Sequence, residues 1–156
     1  MQSTIIAIGC KMPKWCILAC EDYLTRLQRF LKCSLLEVPT ATRHKAGVIE
    51  QYKEEEGRKI LQKIPAGDHV IALDVQGRPW STTRLSEELA NWKLVGKNIH
   101  FVIGGPDGLS AECLARANQR WSLSDLTFPH PLVRVILLEQ LYRAASILAN
   151  HPYHRE

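Results

Sequence analysis

The side chains with the widest chemical range crowd the C-terminal end of the chain. His130 is followed by His151, Tyr153, His154 and Arg155, with Arg143 between them. An imidazole exchanges protons near neutral pH, and aromatic, His and Arg groups together stack on and hydrogen-bond a nucleobase. The plain alternative is a solvated terminus. No Ser or Cys in a nucleophile-elbow context accompanies the histidines, which speaks against a hydrolytic triad. They also lack the i, i+4 helical spacing of a metal pair.

Two further segments could hold a ligand. Gly104-Gly105-Pro106-Asp107-Gly108 lacks both the full G-x-G-x-x-G fingerprint and the phosphate-loop lysine, so neither a dinucleotide nor a P-loop site is supported. It reads as a tight turn needing positive φ, as a place where backbone amides approach a flat ligand such as adenosine, or as both. Leu123-Ser124-Asp125-Leu126-Thr127-Phe128-Pro129-His130-Pro131 is apolar, dotted with hydroxyls and closed by two prolines. Such a stiff loop can wall an aromatic base while offering its backbone polar groups; an ordinary connector is the other reading.

The five cysteines, Cys10, Cys16, Cys20, Cys33 and Cys113, form no C-x-x-C. Cys16 and Cys20 lie one helical turn apart, but no ligand set completes them, and small buried hydrophobes is the better reading. Arg43, His44 and Lys45 fall in a stretch without apolar period, Pro39–Gly47, a basic loop. Glu54, Glu55 and Glu56 read as the solvated face of a helix.

These segments must be held by an alternation of strands and helices. Thr4–Gly9, Ser34–Val38, His69–Leu73 and Asn98–Ile103 are short, β-branched runs, with a short fifth at Trp121–Leu123. Between them, helical spacing runs from about Pro13 to Leu31, over Val48–Ile64, over Thr82–Trp92 and from a Ser110 cap to Asn118. Leu132–Leu148 is the longest and most apolar helix. Asp74–Trp80, with Gly77 and Pro79, reads as a loop. The pattern implies a single-domain α/β layer fold with a mainly parallel sheet, whose ligand sites belong at the strand C-termini.

Composition agrees. The 156 residues are 46% hydrophobic and 23% charged, with a net charge of +4, which excludes disorder, collagen and coiled-coil rods. No apolar run approaches the roughly 20 residues of a membrane span and no signal peptide opens the chain, so a cytoplasmic protein is expected. A mild basic excess is compatible with a nucleic acid partner without requiring one.

Several separated segments are similar to one family: Lys11-Met12-Pro13, Leu73-Asp74 with Gly77 and Pro79-Trp80, Ile103–Ser110, Leu126–His130, Arg134-Val135, Glu139–Ala144 and the ending Asn150-His151-Pro152-Tyr153-His154-Arg155. In order and over the full length they resemble the bacterial 23S rRNA (pseudouridine-N3)-methyltransferase H family of SPOUT, or trefoil-knot, methyltransferases. The resemblance implies an S-adenosylmethionine-dependent enzyme that methylates N3 of a pseudouridine in the assembled ribosome. It also implies a homodimer sharing its substrate site between subunits, and a deep C-terminal knot within roughly residues 70–156. Carried onto this chain, Leu73, Gly104, Leu123, Ser124, Asp125, Leu126, Thr127 and Phe128 would hold the cofactor, Asp125 through its backbone. His154, Arg143, Tyr153 and Arg155 would handle the substrate and its proton; His130 ranks lower, as a residue capping the loop. No metal is implied. Arg43, His44 and Lys45 are candidate rRNA contacts. The alternatives are a ribosome-associated binding or assembly factor with the same fold but no turnover and, less favoured, a nucleotide-dependent hydrolase.

Overall fold

The computed structural model describes residues 1–155. Five strands, β1 (Ser3–Ile8), β2 (Cys33–Val38), β3 (His69–Pro79), β4 (Ile99–Ile103) and β5 (Gln119–Ser122), form one sheet in the order β2-β1-β4-β3-β5. Every pairing is parallel. Five helices, α1 (Lys14–Leu27), α2 (Ile49–Leu61), α3 (Thr82–Val95), α4 (Ala111–Arg116) and α5 (His130–Leu148), connect and follow the strands.

Strand periodicity decides which helix goes to which face. Side chains alternate across a strand, so Ile5 and Ala7 of β1 face one core while Ile6 and Ile8 face the other. The larger core takes Ile71, Phe101 and Ile103 from the sheet and packs them under α1, α3 and α5 through Cys20, Leu89, Trp92 and Leu137. The smaller takes Val70, Ala72 and Val102 and is covered by α2 and α4 through Ile60 and Cys113. Buried on both faces, the central strands are near-continuous apolar runs, as parallel sheets require. Cys16, Cys20, Cys33 and Cys113 are buried and Cys10 is exposed, so four of the five serve as small hydrophobes.

Most element boundaries move by one to three residues. The Ser110 hydroxyl accepts from the Cys113 amide at 3.1 Å and caps α4 as expected. Helix α1 stops at Leu27, four residues early, where Phe30 N closes a tighter i→i−3 turn on Leu27 O and the Gln28 side-chain amide donates to the Cys33 carbonyl at 2.7 Å.

Two readings are overturned. Asp74–Trp80 is not simply a loop: after a bulge between Leu73 and Arg78, β3 resumes pairing with β5 as far as Pro79. Gly77 makes this close approach workable, since a Cβ there would stand 2.7 Å from the Arg120 carbonyl carbon. And Glu56 does not belong to a solvated face. It is 2% exposed, with its carboxylate taken up by the 41–43 segment.

Candidate active site

A cavity of about 520 Å³ opens at the C-terminal ends of β3 and β4, within the range of small-ligand sites. Leu73, Gly104, Leu123, Ser124, Leu126, Thr127 and Phe128 all line it. The structure thus gathers seven of the eight expected cofactor residues from three separate segments. Asp125 is the exception: it is exposed and does not reach the lining, because the Ser124 hydroxyl accepts from the Leu126 amide at 3.0 Å and turns the backbone under it.

The glycine segment is both a turn and a close approach. Gly108 sits at φ 85°, a conformation that disfavours a side chain, and its amide closes the turn onto Gly105 O at 3.1 Å. At Gly104 a Cβ would stand 2.6 Å from the Gly108 carbonyl carbon, and at Gly105 2.9 Å from Ile8 Cγ2 and 3.1 Å from Glu56 Oε1. The backbone is therefore bare toward the cavity and tightly packed behind.

Two buried charges, Glu56 and Arg134, stand behind this turn, and the sequence assigns neither of them such a place. Glu56 Oε2 accepts from Ala41 N at 3.0 Å and from Arg43 Nη1 at 3.1 Å, while Arg43 Nη2 reaches Asp107 Oδ2 at 2.6 Å. Arg43 also lies over the Tyr52 ring, 4.7 Å from its centroid. Of the basic loop, then, Arg43 is a latch between α2 and the glycine turn rather than a free RNA contact; His44 and Lys45 remain exposed.

Arg134, 1% exposed, is the second. It donates to Glu37 Oε2 at 2.6 Å, to Gly9 O at 2.7 Å and to His130 Nε2 at 3.0 Å. An arginine only donates, so His130 is a neutral acceptor. Burial, helped by the Arg134 charge, holds its pKa below the usual histidine value, with the Gly104 backbone pulling the other way. His130 lines both the cavity and a neighbouring hollow of about 610 Å³ walled by Gly9, Met12, Thr40 and Pro106. Its place is that of a joint between α5 and the glycine turn. The one signal available in the sequence was an arginine inside the most apolar helix.

The C-terminal residues come together elsewhere. The Arg143 guanidinium pairs with Glu139 Oε1 at 2.7 Å, lies 4.8 Å from the Tyr153 ring centroid and donates to His154 Nδ1 at 3.1 Å. Tyr153 packs on Tyr142 with centroids 4.5 Å apart and donates to Glu139 Oε1 at 3.2 Å. Desolvation, a Tyr23 hydrogen bond and the Glu139 charge push its hydroxyl up to about 12. Arg155 is exposed. None of these residues lines the cavity. His130 and Arg143 are thirteen residues apart on α5, roughly 20 Å at 1.5 Å per residue.

No group of three His, Cys, Asp or Glu side chains able to hold a metal occurs among the described residues, and no described helix is long and apolar enough to cross a membrane.

A family model described as a predicted SPOUT methyltransferase matches residues 1–154. The chain is 50% identical over 156 residues to the ribosomal RNA large subunit methyltransferase H of Hahella chejuensis, covering all of both chains. It is 47% identical over 155 residues to the protein of that name from a Marinomonas species, covering 99% of this chain and all of that one. Among solved structures, a probable methylase family protein from Haemophilus influenzae superimposes with a TM-score of 0.56 at 13% identity, over 99% of this chain and 70% of that one. A Legionella pneumophila structure holding bound cofactor SAM matches with a TM-score of 0.50 at 9% identity, over 92% of this chain and 66% of that one. At these identities the structural matches speak for the fold alone.

Proposed function

The chain belongs to the SPOUT methyltransferase family, and from that premise we propose that it transfers a methyl group from S-adenosylmethionine to large-subunit ribosomal RNA, at N3 of a pseudouridine in the assembled ribosome. The observation that carries this reading is the single cavity formed by Leu73, Gly104 and the 123–128 loop, in a chain related end to end to large-subunit rRNA methyltransferases. The fold and cavity suit the cofactor: bare glycine backbone on one side, an apolar loop with hydroxyls and free backbone groups on the other. Bound there, S-adenosylmethionine supplies an electrophilic methyl group on a sulfonium.

The chain's own residues must bind and orient both partners and deal with the imide proton. N3 is a poor nucleophile until that proton is lost or shared. Orientation is worth on the order of 7–11 kcal/mol and a general base about 10²–10⁴-fold, so positioning outweighs proton removal. Arg143, kept charged by Glu139, is placed to stabilise the negative charge developing on the base, with Arg155 as the second cation. Tyr153 orients the base by stacking. His154 Nδ1 is taken up by Arg143, so the neutral ring carries its proton on Nε2. In this pose it donates; acting as base requires the pair with Arg143 to open.

Within one chain the tail and the cavity lie at opposite ends of α5. A homodimer resolves this by bringing one subunit's tail to the other's cavity, and α1 offers a surface for it in Trp15 (50% exposed) and Leu18 (56%). The knot is read into residues 70–156, and the enzyme acts in the cytoplasm, where its substrate is. A ribosome-associated factor without turnover is the second reading; the intact charged tail favours the enzyme, since a pure binder has no need for both tail and cofactor cavity.

The test is incubation of the protein with labelled S-adenosylmethionine and ribosomes from a strain lacking the activity, followed by mapping of the label. Label on N3 of one large-subunit pseudouridine is the expected result. Cofactor binding without transfer would shift the reading to the binding factor, and no cofactor binding at all would remove it.

A further inference from the structure

A recess of about 450 Å³ lies where the end of α1 meets the starts of β1 and β2, and Arg29, Lys32 and Lys93 line it. We propose that it seats the phosphate backbone of the RNA substrate; the proposal rests on the RNA methyltransferase reading above and adds to it where the RNA runs.

Three observations carry it. The cations come from separate places, α3 for Lys93 and the turn after α1 for Arg29 and Lys32, yet converge on one concavity with no acidic residue in its lining. Among the described residues none of the three is in an ion pair, whereas nearby Arg26 is neutralised by Asp22 at 3.0 Å and Arg84 by Glu88. Unpaired cations gathered in a hollow repel one another unless an anion joins them.

The rim is also built. Lys93 Nζ reaches Phe30 O at 3.4 Å and the Arg29 guanidinium stands 5.5 Å from the Phe30 ring centroid. Phe30 also meets the His151 ring edge-on, with centroids 5.6 Å apart. The recess is thus continuous with the C-terminal tail. Like the tail, it lies away from its own subunit's cavity: the recess is at the N-terminal edge of the sheet and the cavity at the C-terminal edge, a strand length of roughly 20 Å away. A nucleotide delivered by the tail to a partner subunit's cavity would leave its flanking backbone over this hollow. A phosphate chain, with one negative charge per nucleotide, fits a row of such cations.

The test compares the full-length protein with a triple variant, Arg29→Gln, Lys32→Gln and Lys93→Gln, and with the single Lys32→Glu. Binding to ribosomes and to naked large-subunit rRNA is measured over a range of salt concentrations, and S-adenosylmethionine binding is measured by calorimetry. The expected result is cofactor affinity within about twofold of the unaltered protein, RNA affinity at least about tenfold lower, and a salt slope reduced by about 2 for three lost phosphate contacts. Lys32→Glu gives the same direction should the triple variant fail to fold. Unchanged RNA affinity and salt slope would overturn the proposal. So would weakened binding to ribosomes with unchanged binding to naked rRNA, which would make the occupant an acidic protein surface. If the unaltered protein binds ribosomes without transferring methyl, the functional reading fails, while the recess is still judged by the binding curves.

Discussion

The two ends of α5 use the same residue type in opposite ways. At its start Arg134 is buried and donates to a carboxylate, an imidazole and a backbone carbonyl. At its end the Arg143 side chain is 25% exposed and shares Glu139 with Tyr153. The first arginine is buried with four of its five N–H donors taken by Ile8, Gly9, His130 and Glu37, so its task is to hold Gly9 and His130 in place. The second keeps one face toward solvent beside a tyrosine and a histidine, which suits the substrate role proposed for it. The comparison teaches that burial with nearly all donors engaged marks a scaffold, while partial exposure with an incomplete set of partners leaves a group open to a ligand.

The strongest way to break that contrast is Arg134→Met. It leaves the buried Gly9 carbonyl and His130 Nε2 without their donor, and an orphaned buried acceptor costs about 1–3 kcal/mol; Glu37, 37% exposed, is solvated without it. Urea unfolding should show this, and a loss under about 1 kcal/mol would mean that Arg134 is no scaffold. Arg143→Gln should do the reverse. Unfolding free energy changes little, since the Arg143–Glu139 pair is partly exposed, while methyl transfer to ribosomes falls by about 10²-fold with cofactor affinity retained. A variant that unfolds but turns over normally when folded would assign this end of α5 to structure as well.

Gly104→Ala sharpens the comparison from the cavity side. The added Cβ meets backbone, at 2.6 Å from Gly108, so the turn must shift; cofactor affinity by calorimetry should fall by about tenfold or more, with less effect on stability than Arg134→Met. The smallest expected effect is one of pH. The folded-state pKa of His130 is depressed, so its neutral form favours folding above the unfolded value near 6.5. That contribution is lost as pH falls below 6.5, because the unfolded chain then binds the proton more readily. His130→Asn should flatten the decline in stability between pH 7 and pH 5. An unchanged pH profile would free His130 from the joint with Arg134.

How much was legible differs between the same two regions. The cavity was marked twice in the sequence as a candidate ligand site, by the glycine run after Ile103 and by the proline-closed loop from Leu123. Both are local signals, because conformational freedom and its loss are properties of single residues. Glu56 was misread for the same reason. A run of three glutamates looks like a solvated face, and only the arrival of Ala41, Arg43 and Gly105 around the third converts it into a buried latch. Asp74–Trp80 was misjudged because Gly77 and Pro79 suggest a loop, while the contact that makes it a paired, bulged strand is with Arg120 and Trp121, far along the chain.

By itself, then, the sequence determined the alternation of strands and helices, the mainly parallel sheet, the Ser110 cap, and the kinds of residue available for chemistry, since these follow from periodicity and local backbone preference. Tertiary structure alone decided which charges became scaffold. It placed Arg134 under Gly9 and Arg43 against Asp107, and it left Arg29, Lys32 and Lys93 together with no counter-charge among the described residues. It also set the tail and the cavity at opposite ends of one helix. The physical reason is range: propensity and pattern act over a few residues, whereas desolvation and ion pairing depend on which distant segments the parallel sheet brings to the same edge.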